Sequence, residues 1–274
     1  MGVVGVDLSG IRLRLTGLPQ DVSQRTAREW RRFVCEPPPD PFLSVCVEQV
    51  AVAGPPAEFL PKEMTSRLAV GAARFEMPEG SVEVRGDGTA RMRLGRNLGP
   101  RGYYAFHNLL RACLAWRLPD RGGAMLHAAG LVVDGRAFLL VGPEGSGKST
   151  WVRHGEAAGA RVVSDDVVVV DRAGGVLEAV GAPFCSTHRI DYAPGRWPVA
   201  AVLLPRHGFR PALAQTPALL ARARVTANLT FVADALGFDD RIEAAVDGIV
   251  SAPCRELTFS PDGAFVPLLA GFAH

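Results

Sequence analysis

Residues 142–150 read Gly-Pro-Glu-Gly-Ser-Gly-Lys-Ser-Thr, a GxxxxGK(S/T) run that calls for a strand before it and a helix after it. In such a run Gly142, Gly145 and Gly147 let backbone N–H groups curl around an anion. Lys148 adds a positive charge, Ser149 offers a hydroxyl to a cation, and the dipole of the following helix favours negative charge. Lysine occurs here only twice, at Lys62 and Lys148, among thirty basic side chains. A chain of this composition would meet the pattern by chance about 0.002 times, so residues 142–150 are read as a phosphate cradle, with Glu144, Ser146 and Thr150 as further contacts.

The flanking sequence supplies the context. Apolar runs from Met125 to Val133 and from Arg136 to Val141 surround Asp134-Gly135, the signature of a two-residue primed hairpin. Pairing Val133 with Arg136 sets a register that brings His127 opposite Gly142, at the lip of the cradle. Downstream, a helix from Lys148 to about Ala158 carries the chain roughly 16 Å away. After a turn at Gly159, a strand from Arg161 to Asp165 returns it by about the same distance. The carboxylates of Asp165 and Asp166 are thereby expected at the level of the cradle, where they can hold a cation or take a proton from a hydroxyl. Asp171 reads as a surface residue. The other histidines, at 107, 154, 188, 207 and 274, have no comparable placement.

We expect a mixed α/β (α+β) protein of two domains, a small mixed one over residues 1–120 and a larger one carrying the cradle over residues 121–274. In the first, Val3 to Val6, Ile11 to Leu15 and Ser44 to Ala53 read as strands, and Ser81 to Arg85 with Ala90 to Leu94 as a hairpin. A helix is expected from Asp21 with a capping box to Gln24, and another over Phe106 to Leu114 that stops near Pro119. Arg121-Gly122-Gly123 reads as a hinge. Beyond Val170 the pattern suggests a less regular region, with Arg189, Arg196, Arg206 and Arg210 on loop-like sequence.

Composition narrows the partners. Thirty basic against 28 acidic side chains leave a net charge of +2, without the basic excess of a nucleic-acid-binding domain. No run of about 18 apolar residues suggests a membrane span, and no secretory leader is evident, so a cytoplasmic location without a membrane partner is expected. Five widely spaced cysteines suggest reduced, buried thiols rather than a disulfide framework. Cys185 and His188 stand three apart but lack the second pair of ligands that a structural metal needs.

Taken in order and spacing, His127-Ala-Ala-Gly-Leu-Val-Val-Asp-Gly, the cradle Gly142 to Thr150, and Val162-Val-Ser-Asp165-Asp166 resemble the catalytic domain of HPr kinase/phosphorylase. The resemblance covers about Met125 to Val170. It implies the P-loop kinase fold that this family shares with phosphoenolpyruvate carboxykinases, and transfer of phosphate from ATP (or GTP), with Mg2+, to a serine of a peptide or protein. Asp165 would then be the base, Lys148 would act on the phosphates, Ser149 and Asp166 would serve the metal, and His127 would support the phosphate or the base. Asp191 is the candidate for a further metal ligand, and Glu178 a weaker one. Residues 253–262 look like the ending of stand-alone relatives that phosphorylate precursor peptides. Ala227-Asn228-Leu229 is the nearest counterpart of an Arg-Asn-Leu segment used for phosphorolysis, with Ala in the arginine's place, which implies weak reversal. The N-terminal region does not resemble that family. The rival readings are a small-molecule kinase, or a nucleotide-binding sensor or assembly factor that transfers nothing; homo-oligomer formation is left open.

Overall fold

A computed structural model of the chain describes residues 2–51, 64–184, 194–231, 239–259 and 264–272. The chain divides between Arg117 and Leu118 into two compact units, a few residues before the expected boundary. Among the described residues there are six α-helices and two mixed sheets. Asp191, the expected further metal ligand, lies outside the described residues, as do Cys185, His188 and Arg189.

The first unit is a sheet with two helices. Its strands are β1 (Val3–Leu8), β2 (Ile11–Thr16), β3 (Val34–Cys35), β4 (Leu43–Val50), β5 (Thr65–Ala69), β6 (Ala72–Met77), β7 (Gly80–Arg85) and β8 (Thr89–Gly95), in the order β3-β1-β2-β4-β8-β7-β6-β5. The expected β7–β8 hairpin forms, and β4 runs parallel to both β2 and β8. Alternation decides the faces: Ile11, Leu13 and Leu15 are fully buried, whereas Arg12 between them is exposed. Helix α2 (Pro100–Arg117) packs on β6, β7 and β8, and α1 (Gln20–Glu29) packs on α2.

Two expectations for this unit fail. Helix α1 starts at Gln20, with Pro19 at the N-cap and no side-chain cap, so the Asp21–Gln24 capping box does not form. Pro19 fixes an extended entry into the helix, and Asp21 falls inside the first turn, where the dipole still favours its charge. Cys35 and Cys46 are exposed rather than buried, because both point away from the apolar face of the sheet; Cys113 and Cys254 are buried.

In the second unit a short 3-10 helix (Leu118–Arg121) leads into β9 (Ala124–Val133) and β10 (Arg136–Val141). Arg121-Gly122-Gly123, expected as a hinge, is a turn inside this unit, tied by the Gly122 and Gly123 N–H groups to Pro119 O and Leu118 O. The β9–β10 hairpin has the expected register, from Arg136 opposite Val133 to Val141 opposite Ala128. Asp134 and Gly135 both have positive φ, 49° and 76°, as a primed turn requires. Helix α3 (Lys148–Ala157), β11 (Arg161–Ser164) and β12 (Val167–Asp171) follow, then β13 (Glu178–Val180), β14 (Arg196–His207) and β15 (Ala212–Gln215). The unit continues with α4 (Ala218–Ala227), α5 (Asp240–Val250), β16 (Cys254–Phe259) and α6 (Val266–Phe272).

The region after Val170 is thus more regular than its sequence suggests. Pro198 and Pro205 break up the apolar run of β14 for a reader of the sequence, but they stand on either side of the stretch that pairs with β10. Strand pairing closes a ring, β10 to β9, β12, β13, β14 and back to β10. Two strands make this possible by changing partners along their length. β9 pairs with β12 over residues 124–127 and with β10 over residues 128–133. β14 pairs with β13 over residues 196–198, then runs parallel to β10 and β16.

Asp171 is not a surface residue. It is fully buried at the end of β12, where Arg121 (2.7 Å) and Arg196 (2.8 Å) grip its carboxylate, and Arg196 also pairs with Glu178. Arg196 is thereby spent on the fold, and Arg206 pairs with Glu256, so neither stands on an open loop. Burial pushes the Asp171 carboxyl up, but the hydrogen bonds and charges of the two arginines outweigh burial and hold it below the ordinary value of 3.8. A carboxyl lowered on folding contributes stability that is present above its unfolded pKa and is lost as pH falls through the folded one. Asp171→Asn, which leaves both guanidinium groups facing a neutral partner, is expected to cost about 3 kcal/mol. Urea titrations should show this loss at pH 7 and a shrinking gap to wild type as the pH drops below the ordinary carboxylate range.

Candidate active site

The Gly142–Thr150 loop leaves the C-terminal end of β10 and enters α3, the strand–loop–helix context that the sequence predicts. It therefore opens beyond the carboxyl ends of the parallel strands β10, β14 and β16, where α/β sheets place ligands. Gly147 is the N-cap of α3, with φ 92°; a Cβ there would also lie 3.1 Å from the Phe259 ring. Only glycine meets both demands without strain. Lys148 is buried, and its Nζ donates to Gly142 O (2.7 Å) and Pro143 O (2.9 Å), so the ammonium already lies inside the curl of the loop. Burial lowers the pKa of Lys148; the carboxylates of Asp166 and Glu144 oppose this without cancelling it. Ser146 Oγ is buried without a hydrogen-bond partner among the described residues, a polar atom that an anion on the loop would satisfy. Glu144, Ser149 and Thr150 stand at or near the surface of the loop and first turn.

The acidic pair occupies the turn between β11 and β12. Ser164 shapes that turn: its hydroxyl accepts from the N–H groups of Asp166 (3.3 Å) and Val167 (3.2 Å) and donates to Phe184 O (3.4 Å). Asp165 is buried, and Asp166 is partly exposed. The Asp166 carbonyl accepts from Ala128 N at 3.0 Å, which fastens the turn to β9.

His127 sits at the point where β9 changes partner. The described ladder with β10 ends at Ala128, and His127 pairs instead with Val167, so it is not opposite Gly142 in a ladder. Its Nδ1 lies 3.4 Å from Asp166 Oδ1, and Asp166 in turn acts on Lys148. One strand thus joins the phosphate loop, the acidic turn and the histidine. The backbone of His127 is held from a further element: its N–H donates to Asn228 O at 2.7 Å, Leu229 bridges to Leu126, and Thr230 N donates to Met125 O. Residues 228–230 are therefore an outer support of β9 beside the site.

His207, set aside at the sequence level, also belongs here. β14 runs past the end of β10, and a Cβ on Gly147 would meet His207 Cε1 at 3.7 Å. Its placement follows from the parallel pairing of β10 and β14, and no local motif announces it.

No protein-family model matches the chain, and no match was found among curated proteins. Among the described residues no three His, Cys, Asp or Glu side chains cluster as a metal site. A magnesium ion bound with a nucleotide does not need such a cluster, since phosphate oxygens and waters fill most of its octahedron. The Ser149 hydroxyl and the Asp166 carboxylate are donors of the kind it takes. Among the described residues no helix is long and apolar enough to cross a membrane.

Proposed function

We propose that this chain is an ATP- (or GTP-) and magnesium-dependent kinase with a P-loop fold of the HPr kinase type, which transfers the γ-phosphate to a hydroxyl, a serine of a peptide or protein. The observation that carries the reading is the convergence on β9. The loop with Lys148, the Asp165-Asp166 turn and His127 are fastened to the same strand, with Asp166 in interaction range of both His127 and Lys148.

In this reading the loop N–H groups and Lys148 hold the phosphates and balance charge as the bond between the γ-phosphorus and the β-bridging oxygen breaks. Ser149 and Asp166 are the side chains that would hold magnesium, which would supply positive charge against the phosphates. Asp165 accepts the proton of the attacking hydroxyl as the new O–P bond forms. His127, 3.4 Å from Asp166, orients that carboxylate.

Incubation of the protein with γ-labelled ATP and cell extract tests the reading directly. Label in a polypeptide supports it, label in a small metabolite makes the protein a small-molecule kinase, and release of label without any acceptor, or no reaction, leaves a nucleotide-binding sensor or assembly factor.

A further inference from the structure

Strand β14 carries the phosphate loop along one side of its C-terminal overrun. A Cβ on Gly142 would lie 2.7 Å from Pro205 Cγ, and one on Gly147 would lie 3.7 Å from His207 Cε1. Pro205 and His207 are two apart, so they point to the same face of the strand, and together they underlie both ends of the loop. Arg206, between them, pairs with Glu256. The ladder to β16 persists to His207 opposite Phe259, and Gly208 N still donates to Phe259 O at 3.4 Å. The strand ends at His207, and Phe209 follows two residues later in a bend, its Cα at most about 7 Å from that of His207.

Phe209 is 99% exposed and has no ring or cationic partner among the described residues. Such a ring costs solubility and contributes nothing to the core. Its place two residues beyond His207, which lies beside Gly147, puts the ring within a nucleotide's length of that loop. We propose that Phe209 is the platform on which the base of the bound nucleotide stacks. This rests on the kinase reading only in requiring that residues 142–150 bind nucleotide phosphates. A flat apolar ring recognises any purine face and does not by itself choose between adenine and guanine.

Calorimetric titration of the full chain with ADP and with inorganic tripolyphosphate, a ligand with phosphates but no base, tests the assignment. Phe209→Ala should weaken ADP binding by about 10-fold or more, the scale of one base–aromatic stack. Tripolyphosphate should bind wild type and variant alike, and Phe209→Trp should restore or tighten ADP binding. Unchanged ADP affinity in Phe209→Ala, or equal losses for ADP and tripolyphosphate, would overturn the proposal. If wild type binds neither ligand, the phosphate-loop reading itself fails, a result distinct from the loss of base selectivity alone.

Discussion

Lys148→Ala is expected to lower nucleotide turnover by about 10³-fold or more, because it removes the one positive side chain inside the loop that can follow charge from ground state to transition state. The ammonium is already in place, donating to Gly142 O and Pro143 O from a buried position. The alanine variant therefore also frees two loop carbonyls, and its folding has to be checked by circular dichroism and thermal melting before its kinetics are read. Lys148→Arg sharpens the test. The chain uses arginine almost everywhere else; in the proposed reading the lysine serves as a compact point charge, and the planar fork of arginine is expected to fail there. Steady-state turnover of ATP by a folded Lys148→Ala protein at the wild-type rate would remove residues 142–150 from the active site.

Asp165→Asn is expected to separate binding from chemistry. Transfer should fall by about 10²-fold or more, on the scale of a lost general base, while nucleotide affinity stays within a few-fold of wild type. The two carboxylates of the pair occupy different settings. Asp166 faces His127 at 3.4 Å and acts on Lys148, whereas Asp165 is shielded from water. Single-turnover transfer alongside equilibrium binding of a magnesium nucleotide measures both quantities. If affinity and transfer fall together, Asp165 is a metal ligand and the base lies elsewhere.

What could be read from the sequence is what local chemistry dictates. Asp134-Gly135 specifies a primed turn, the turn fixes the β9–β10 register, and the lengths of α3 and β11 return Asp165 and Asp166 to the loop. Each of those steps joins elements that are neighbours in the chain. Two of the misses involve contacts between elements that are not neighbours. Asp171 reads as a surface carboxylate because its partners, Arg121 and Arg196, lie 50 and 25 residues away. His207 reads as an isolated histidine because its place beside Gly147 depends on β14 running parallel to β10. The α1 capping box matched a local rule, but the geometry imposed by Pro19 took precedence.

The change of partner along β9 makes that strand a ruler. Phosphate loop and acidic turn are both pinned to its backbone, the loop through β10 up to Ala128 and the turn through Val167 at His127 and Asp166 O at Ala128. The separation between the group that would take a proton and the groups that would hold the phosphate is therefore metered in peptide units of one strand. It is not left to the closing of a hinge. In the proposed reading, any accommodation of different acceptors would come from elements hung on that segment, such as the bridge at residues 228–230 or the overrun of β14, while β9 sets the spacing between base and phosphate.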